Sequence, residues 1–157
     1  MNDPILKPYE DFHGDWALVA AGTLEDHNAM TVSWGGIGSL WNKPVVTVYV
    51  RPNRHTYGYF ENSEYFTVSF YPDECKKALG LMGTKSGRDC DKEAEAGLTA
   101  VPCGESVTFA QAAKTLLCRK LCHQDMDLSR FPADVKERFF TSDPVHRMYI
   151  GEIIEIL

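Results

Sequence analysis

A mostly β protein, a small antiparallel β-barrel with short helices in its connections, is the architecture this sequence predicts. Three observations lead to it. About six or seven short apolar runs, rich in β-branched and aromatic residues, recur along the chain. Turn-forming clusters separate them. No helical pattern intervenes between every pair, as a doubly wound parallel sheet would require. At 157 residues the chain is expected to form one domain over residues 1–157, long enough to bury most of its unfolded surface.

Each element follows in order from local pattern. WALVAAGT, Trp16 to Thr23, is a short apolar strand; Glu25, Asp26, His27 and Asn28 form a polar turn; Ala29 to Trp34 returns as the second strand of a hairpin. Gly35, Gly36 and Gly38 predict a flexible loop ending near Asn42-Lys43-Pro44. PVVTVYVRP is the strongest strand, and Pro52 closes it. Asn53 or Thr56 is placed to cap a short helix through YGYFENS, and YFTVSFYP alternates again as a strand. Asp73 opens a helix, DECKKALGLM, that Gly83 is placed to stop. The polar run TKSGRDCDKEAEAG ends in a short exposed helix closed by Gly97. Val107 to Met126 holds one or two strands, SRFPADVKERFF reads as a helix capped by Ser129, and HRMYIGEIIEIL is a closing strand.

Composition narrows the function. Lys plus Arg number 16 against 22 Asp plus Glu, a balance of −6 that argues against wide contact with nucleic acid. The start, MNDPILKPYEDF, has no basic region leading into an apolar core, and no stretch approaches the ~20 apolar residues of a membrane helix. A soluble, cytoplasmic protein is the expectation. Cys75, Cys90, Cys103, Cys118 and Cys122 form no C-x-x-C pair, which reads as reduced thiols. Cys118 and Cys122 beside His123 lack the usual zinc spacing, so no metal is expected.

Two polar constellations stand out. On the second strand, alternation sets Thr31 and Ser33 on one face and Met30, Val32 and Trp34 on the other. Paired hydroxyls suit a ligand's polar edge; they equally suit a solvated strand face. RPNRHT, Arg51 to Thr56, arrives where a strand gives way to a helix, whose free N–H groups and partial positive charge, with two arginines and a hydroxyl, suit a phosphate. Two surface arginines and a helix cap fit the same letters. Lys85-Ser86-Gly87-Arg88 with Lys92 adds cations and a hydroxyl in a Gly-bearing loop.

Taken in order, NAMTVSW, PVVTVYVRPNRHT, YFTVSFYP, SGRDCDK and HRMYIGEI resemble the flavin reductase-like, FMN-binding split-barrel proteins, especially their short flavoredoxin-type members. The match runs from about Trp16 to the C-terminus. The resemblance implies a homodimer of six-stranded antiparallel, Greek-key-like barrels with FMN at the interface. It carries over Asn28, Thr31, Ser33, Trp34 and Lys92 to the ring and ribityl chain. Arg51, Arg54 and Thr56 are carried over to the phosphate, with Lys85 and Ser86 beside the same cofactor. It further implies an NAD(P)H:flavin oxidoreductase that takes hydride from NADH or NADPH and passes electrons to free flavin or a redox partner protein, or else a flavoredoxin-type carrier without NAD(P)H turnover. His146 matches a family histidine near the nicotinamide, although Val145 precedes it here and the Asp stands earlier, as Asp143-Pro144. A histidine satisfied at a strand start fits that position too.

Overall fold

In the computed structural model, residues 7–157 are described. The first six residues, part of the start read above as lacking a basic leader, lie outside them. A helix, α1 (Lys7–His13), leads into β1 (Ala17–Gly22), β2 (His27–Val32), β3 (Gly35–Leu40) and β4 (Lys43–Val50). Next come α2 (His55–Asn62), β5 (Tyr65–Phe70), α3 (Lys76–Thr84) and α4 (Lys92–Ala96). A hairpin of β6 (Ala100–Cys103) and β7 (Ser106–Phe109), the long β8 (Lys114–Asp125), α5 (Ala133–Phe139) and β9 (Arg147–Ile156) complete the chain.

Seven strands form one antiparallel sheet in the order β2-β1-β5-β8-β9-β4-β3. β2 and β3 are its two free edges, yet only Ser33 and Trp34 separate them in sequence. That short link obliges the sheet to curl back on itself, leaving a split between the edges, the architecture of a split barrel. β6 and β7 pair apart from it.

The run ALVAAG is apolar throughout because β1 is covered on both faces. Ala17, Val19 and Ala21 face an inner core with Val46, Val48, Val50, Phe66 and Tyr149. Leu18 and Ala20 face a second cluster with Leu79 and Met82 of α3 and Val107 and Phe109 of β7. Phe60 of α2 packs at 5.0 Å between ring centroids against both Phe66 and Tyr149, which anchors the helix to the core.

Several boundaries differ from the sequence reading, each for a physical reason. The glycine segment is a strand, β3, not a loop: it pairs with β4 from Gly35↔Val48 to Leu40↔Lys43. Gly35 is required there, because a Cβ would stand 2.6 Å from the Phe12 ring of α1. Trp41 and Asn42, with φ of 50° and 58°, make the two left-handed residues of a tight hairpin turn. α3 begins as a 3-10 turn at Asp73–Cys75 and runs through Gly83 to Thr84. Ser129 does not cap a helix; it belongs to a separate turn, Leu128–Arg130, where its N–H donates to Asp127 Oδ1 at 2.9 Å. Phe131 stays extended ahead of Pro132, and α5 starts afresh after that proline. Neither Asn53 nor Thr56 caps α2; Arg54 holds that position without a side-chain bond. Gly97 does close α4, at φ 70°. α1 and β6 went unread: α1 is a single amphipathic stretch of seven residues, and Pro102 interrupts the β6 pattern.

Candidate functional site

At the N-terminus of α2, opposite the turn that follows α3, lies a cradle of about 300 Å³ bordered by Asn28, Arg54, Thr56, Lys85, Ser86 and Lys92. No side chain caps α2; the Tyr57 N–H bonds the Arg54 carbonyl at 3.0 Å, which leaves those of His55 and Thr56 for a ligand. Thr56, 1% exposed, accepts a 2.7 Å bond from Asn28 Nδ2, which ties β2 to α2. Gly87 lets the following loop press onto this pair, since a Cβ there would sit 2.3 Å from Asn28 Oδ1. Ser86 Oγ accepts from the Arg88 N–H at 3.2 Å and shapes the same loop.

Lys92 dominates the electrostatics. It is 3% exposed, and its ammonium donates only to the carbonyls of Met82 (3.2 Å) and Lys85 (3.3 Å). Among the described residues no carboxylate pairs with it. Burial, reinforced by the nearby Arg54 charge, pushes its pKa down to about 8. Arg54 donates from Nη2 to the Gly83 carbonyl at 3.0 Å, and burial followed by the Arg51 charge lowers its pKa as well. Two buried cations without a carboxylate partner among the described residues therefore share one recess, which an anion would satisfy. Lys85 differs, because its ammonium is exposed and paired with Glu95.

Arg54 also borders a narrow slot of about 140 Å³, lined further by Thr31, Ser33, Trp34, Tyr49, Arg51 and His146. Thr31 commits its hydroxyl proton to the Leu79 carbonyl at 2.5 Å, joining β2 to α3. Met30 and Val32 turn into the core as alternation requires. Trp34 lies past the end of β2 and so escapes that alternation: it shares the slot with Thr31 and Ser33, 41% exposed, edge-on to His146 at 5.3 Å between centroids.

Arg51 is occupied elsewhere than the cradle. Its guanidinium donates to the Phe139 carbonyl (3.1 Å), pairs with Asp143 (3.1 Å) and donates from Nε to His146 Nε2 (3.2 Å), strapping residues 139–146 to the end of β4. An arginine always donates, so Nε2 of His146 accepts and the imidazole carries its proton on Nδ1. Burial, then the charge of Arg51, pushes the His146 pKa down to about 4. The imidazole stays neutral across the physiological range. Asp143, displaced in sequence from the position before the histidine, still reaches this cluster through Arg51.

The structure thus gathers Asn28, Arg54, Thr56, Ser86 and Lys92 in one recess, and Thr31, Ser33, Trp34, Arg51 and His146 in the slot beside it. Lys85 stands at the rim. Tyr49 was missed, although the alternation of PVVTVYVR sets Thr47, Tyr49 and Arg51 on one face of β4, opposite Val46, Val48 and Val50.

Among solved structures, a flavoredoxin from Methanosarcina acetivorans superposes with a TM-score of 0.72 at 19% identity, covering 91% of this chain and 67% of that one. An FMN-binding domain of a flavin reductases-like enzyme from Shewanella baltica gives 0.69 at 18% identity over 98% and 74% of the two chains. A flavoredoxin from Desulfovibrio vulgaris gives 0.70 at 21% identity over 90% and 68%. These likenesses are of fold. No curated protein sequence matches significantly. The model of the flavin reductase like domain matches residues 9–156, and over that span the chain belongs to the flavin reductase-like family.

Proposed function

We propose that the chain binds FMN and acts as an NAD(P)H-dependent flavin reductase. The observation that carries the reading is the buried, anion-free ammonium of Lys92 beside Arg54, opening through Arg54 onto the slot along Thr31 to Trp34. Arg54, Lys92, Ser86, Thr56 and the first-turn amides of α2 hold the phosphate; Asn28 fixes Thr56. Lys85 adds positive charge at the rim. Thr31, Ser33 and Trp34 line the ribityl chain and ring. Arg51 orients His146, whose neutral Nδ1–H serves as a hydrogen-bond donor at the approach for NADH or NADPH. Bound FMN would supply the hydride and electron chemistry itself, which is why no carboxylate pair or nucleophilic triad is needed.

Electrons then pass to free flavin or to a partner protein. The two free sheet edges and the exposed Ile37 and Trp41 support a homodimer sharing the cofactor, which light scattering would test. No helix among the described residues is long and apolar enough to cross a membrane; a cytoplasmic setting belongs to the proposal.

A flavoredoxin-type carrier is the second reading, favoured by the two flavoredoxins among the structural neighbours. Mixing the yellow, FMN-loaded protein anaerobically with NADH or NADPH separates the two. Bleaching of the flavin band within a turnover time is the expected result; a flavin left oxidised by both nucleotides leaves the carrier standing. Arg54→Ala tests the phosphate assignment: loss of a charge-assisted contact worth roughly 1.5–3 kcal/mol should weaken FMN binding about tenfold or more. Unchanged affinity in a fluorescence titration would move the phosphate elsewhere.

A further inference from the structure

α4 is five residues long, far short of the ~12–15 at which a helix holds itself together in water, so its orientation is set from outside. Ala96 rests against the cluster of Leu18 and Leu79, and the Lys85–Glu95 ion pair lies at the surface, where water and salt screen it. A half-buried tie reaches its first turn from β2. His27, the first residue of that strand, sets Nε2 3.0 Å from Glu93 Oε2, and Nδ1 2.9 Å and 3.1 Å from the carbonyl oxygens of Thr23 and Leu24. The turn itself fixes those carbonyls: the Thr23 N–H donates to the Asp26 carbonyl at 2.9 Å, and the Asp26 N–H to Thr23 Oγ1 at 3.2 Å. Both ring nitrogens therefore face acceptors. A neutral imidazole has one N–H and would turn a lone pair toward one of them, whereas the imidazolium satisfies both sides. The shared proton belongs on the ring, because a carboxylic acid gives it up at lower pH than an imidazolium does.

The pair joins two walls of the cationic recess, since Asn28, bonded to Thr56, follows His27, and Lys92 precedes Glu93. Successive residues of a helix point in different directions. With Glu93 held on the imidazolium, Lys92 turns in toward the carbonyls of Met82 and Lys85, and among the described residues no carboxylate reaches it. We infer that His27 and Glu93 are the positioning pair of this recess, holding Lys92 inward and keeping the neighbouring carboxylate off the anion site. That the anion is the FMN phosphate rests on the cofactor reading; the clamp itself does not. It also makes the recess sensitive to protons. Glu25 and Asp26 of the turn and Cys90 and Asp91 ahead of α4 border the same small cavity as His27, Lys92 and Glu93, and from β7 the uncharged Phe109 ring meets the imidazole edge-on at 6.3 Å between centroids. The bond to Glu93, opposed by burial, raises the His27 pKa above its ordinary 6.5. The clamp is complete below 6.5 and is lost as pH rises through the raised value.

Glu93→Ala and Glu93→Gln separate positioning from plain charge. Deleting a carboxylate near an ammonium should, by charge alone, lower the Lys92 pKa further and strengthen anion binding; losing the clamp should do the reverse, by letting Lys92 swing into water. NMR titration of the ligand-free protein should show Glu93→Ala raising the Lys92 pKa from about 8 toward 10.5. Glu93→Gln, whose amide can donate to Nε2 of a neutral His27, should leave it at 8 or below. FMN affinity in a fluorescence titration should fall about tenfold for the alanine variant and hold within about threefold for the glutamine variant. Measured against Glu93→Gln, which shares the ionisation of the FMN phosphate, the wild type should lose FMN affinity as pH rises above 6.5. A Lys92 pKa that falls in Glu93→Ala overturns the inference, as does a His27 pKa that is the same in wild type and Glu93→Gln. A thermal melt checks folding, and if the alanine variant does not fold, that His27 comparison decides. A raised Lys92 pKa in a Glu93→Ala protein whose wild type binds no FMN at any pH would sink the cofactor reading and leave the positioning pair intact.

Discussion

Replacing Lys92 with methionine is expected to weaken FMN binding by about 30- to 150-fold and, in the same protein, to make the ligand-free fold more stable. The first effect removes a charge-assisted bond to a phosphate, worth roughly 2–3 kcal/mol. The second follows from burial. A pKa lowered from 10.5 to about 8 means that holding this ammonium in the fold costs roughly 3 kcal/mol at neutral pH. Methionine has a similar length and no charge. It forfeits the two bonds to the Met82 and Lys85 carbonyls, so the net gain should be about 1–2 kcal/mol. The sign of the pH dependence is a further signature. Between about 8 and 10.5 the unfolded chain keeps the Lys92 proton and the fold releases it, so wild-type stability rises with pH through that window. Below 8 both states are protonated and the full cost is present. Lys92→Met should lack this rise in denaturant melts, and it should also lack the fall in FMN affinity that the wild type shows as pH climbs above 8. An apo protein destabilised by Lys92→Met would mean that the ammonium is satisfied by its carbonyls alone.

Arg51→Met should act in the opposite way, costing the fold about 2–3 kcal/mol while changing FMN affinity threefold or less. The guanidinium closes residues 139–146 onto β4 through Phe139, Asp143 and His146, and its removal leaves a half-buried carbonyl and an imidazole nitrogen without their donor. Urea melts measure the first effect. NMR titration gives a second readout: with the neighbouring cation gone, the His146 pKa should rise from about 4 toward its ordinary value but stop short of it, because burial, the larger cause, persists. The fold protonates below its unfolded counterpart, so stability is lost as pH falls from 6.5 toward 4, and Arg51→Met should narrow that window. If FMN affinity fell as far as it does for Arg54→Ala, the arginine would be touching phosphate rather than strapping the histidine.

These two side chains also show how much of the site was legible in the sequence. That Arg51 and Arg54 flank a strand-to-helix junction follows from the letters RPNRHT. Their different employment does not: it depends on Asp143 and Phe139, far along the chain, reaching one guanidinium and not the other. Lys92 was expected at the ring or ribityl chain and lies instead with the phosphate candidates, because α4 packs back onto α3 and turns its first residue inward. Short-range pattern located the strands well, since period-2 alternation is a local property, and it misread GGIGS because β3 is defined by its partner strand rather than by its own residues. An apolar pocket of about 400 Å³ beside Trp34, Tyr49 and His146 left no trace in the pattern. Its lining comes from α5 and its flanks, Phe139 at the end of the helix, Phe131 before Pro132 and Phe140 just after, where the letters SRFPADVKERFF read only as one helix.

The placement of β2 and β3 at opposite ends of the sheet has a consequence for the order in which the molecule is made. β1 finds β2 at once, as its neighbour in sequence, whereas the β3–β4 hairpin joins the sheet only through β9, Val48 pairing with Tyr149. During synthesis that hairpin must wait for nearly the whole chain, a long loop closure of the kind that slows folding. Trp34 and His146, at the two ends of this delay, meet only when the last strand docks. The slot is therefore the final part of the protein to come into being, and a nascent chain lacking β9 can form the cationic recess of Arg54 and Lys92 but not the slot beside Trp34.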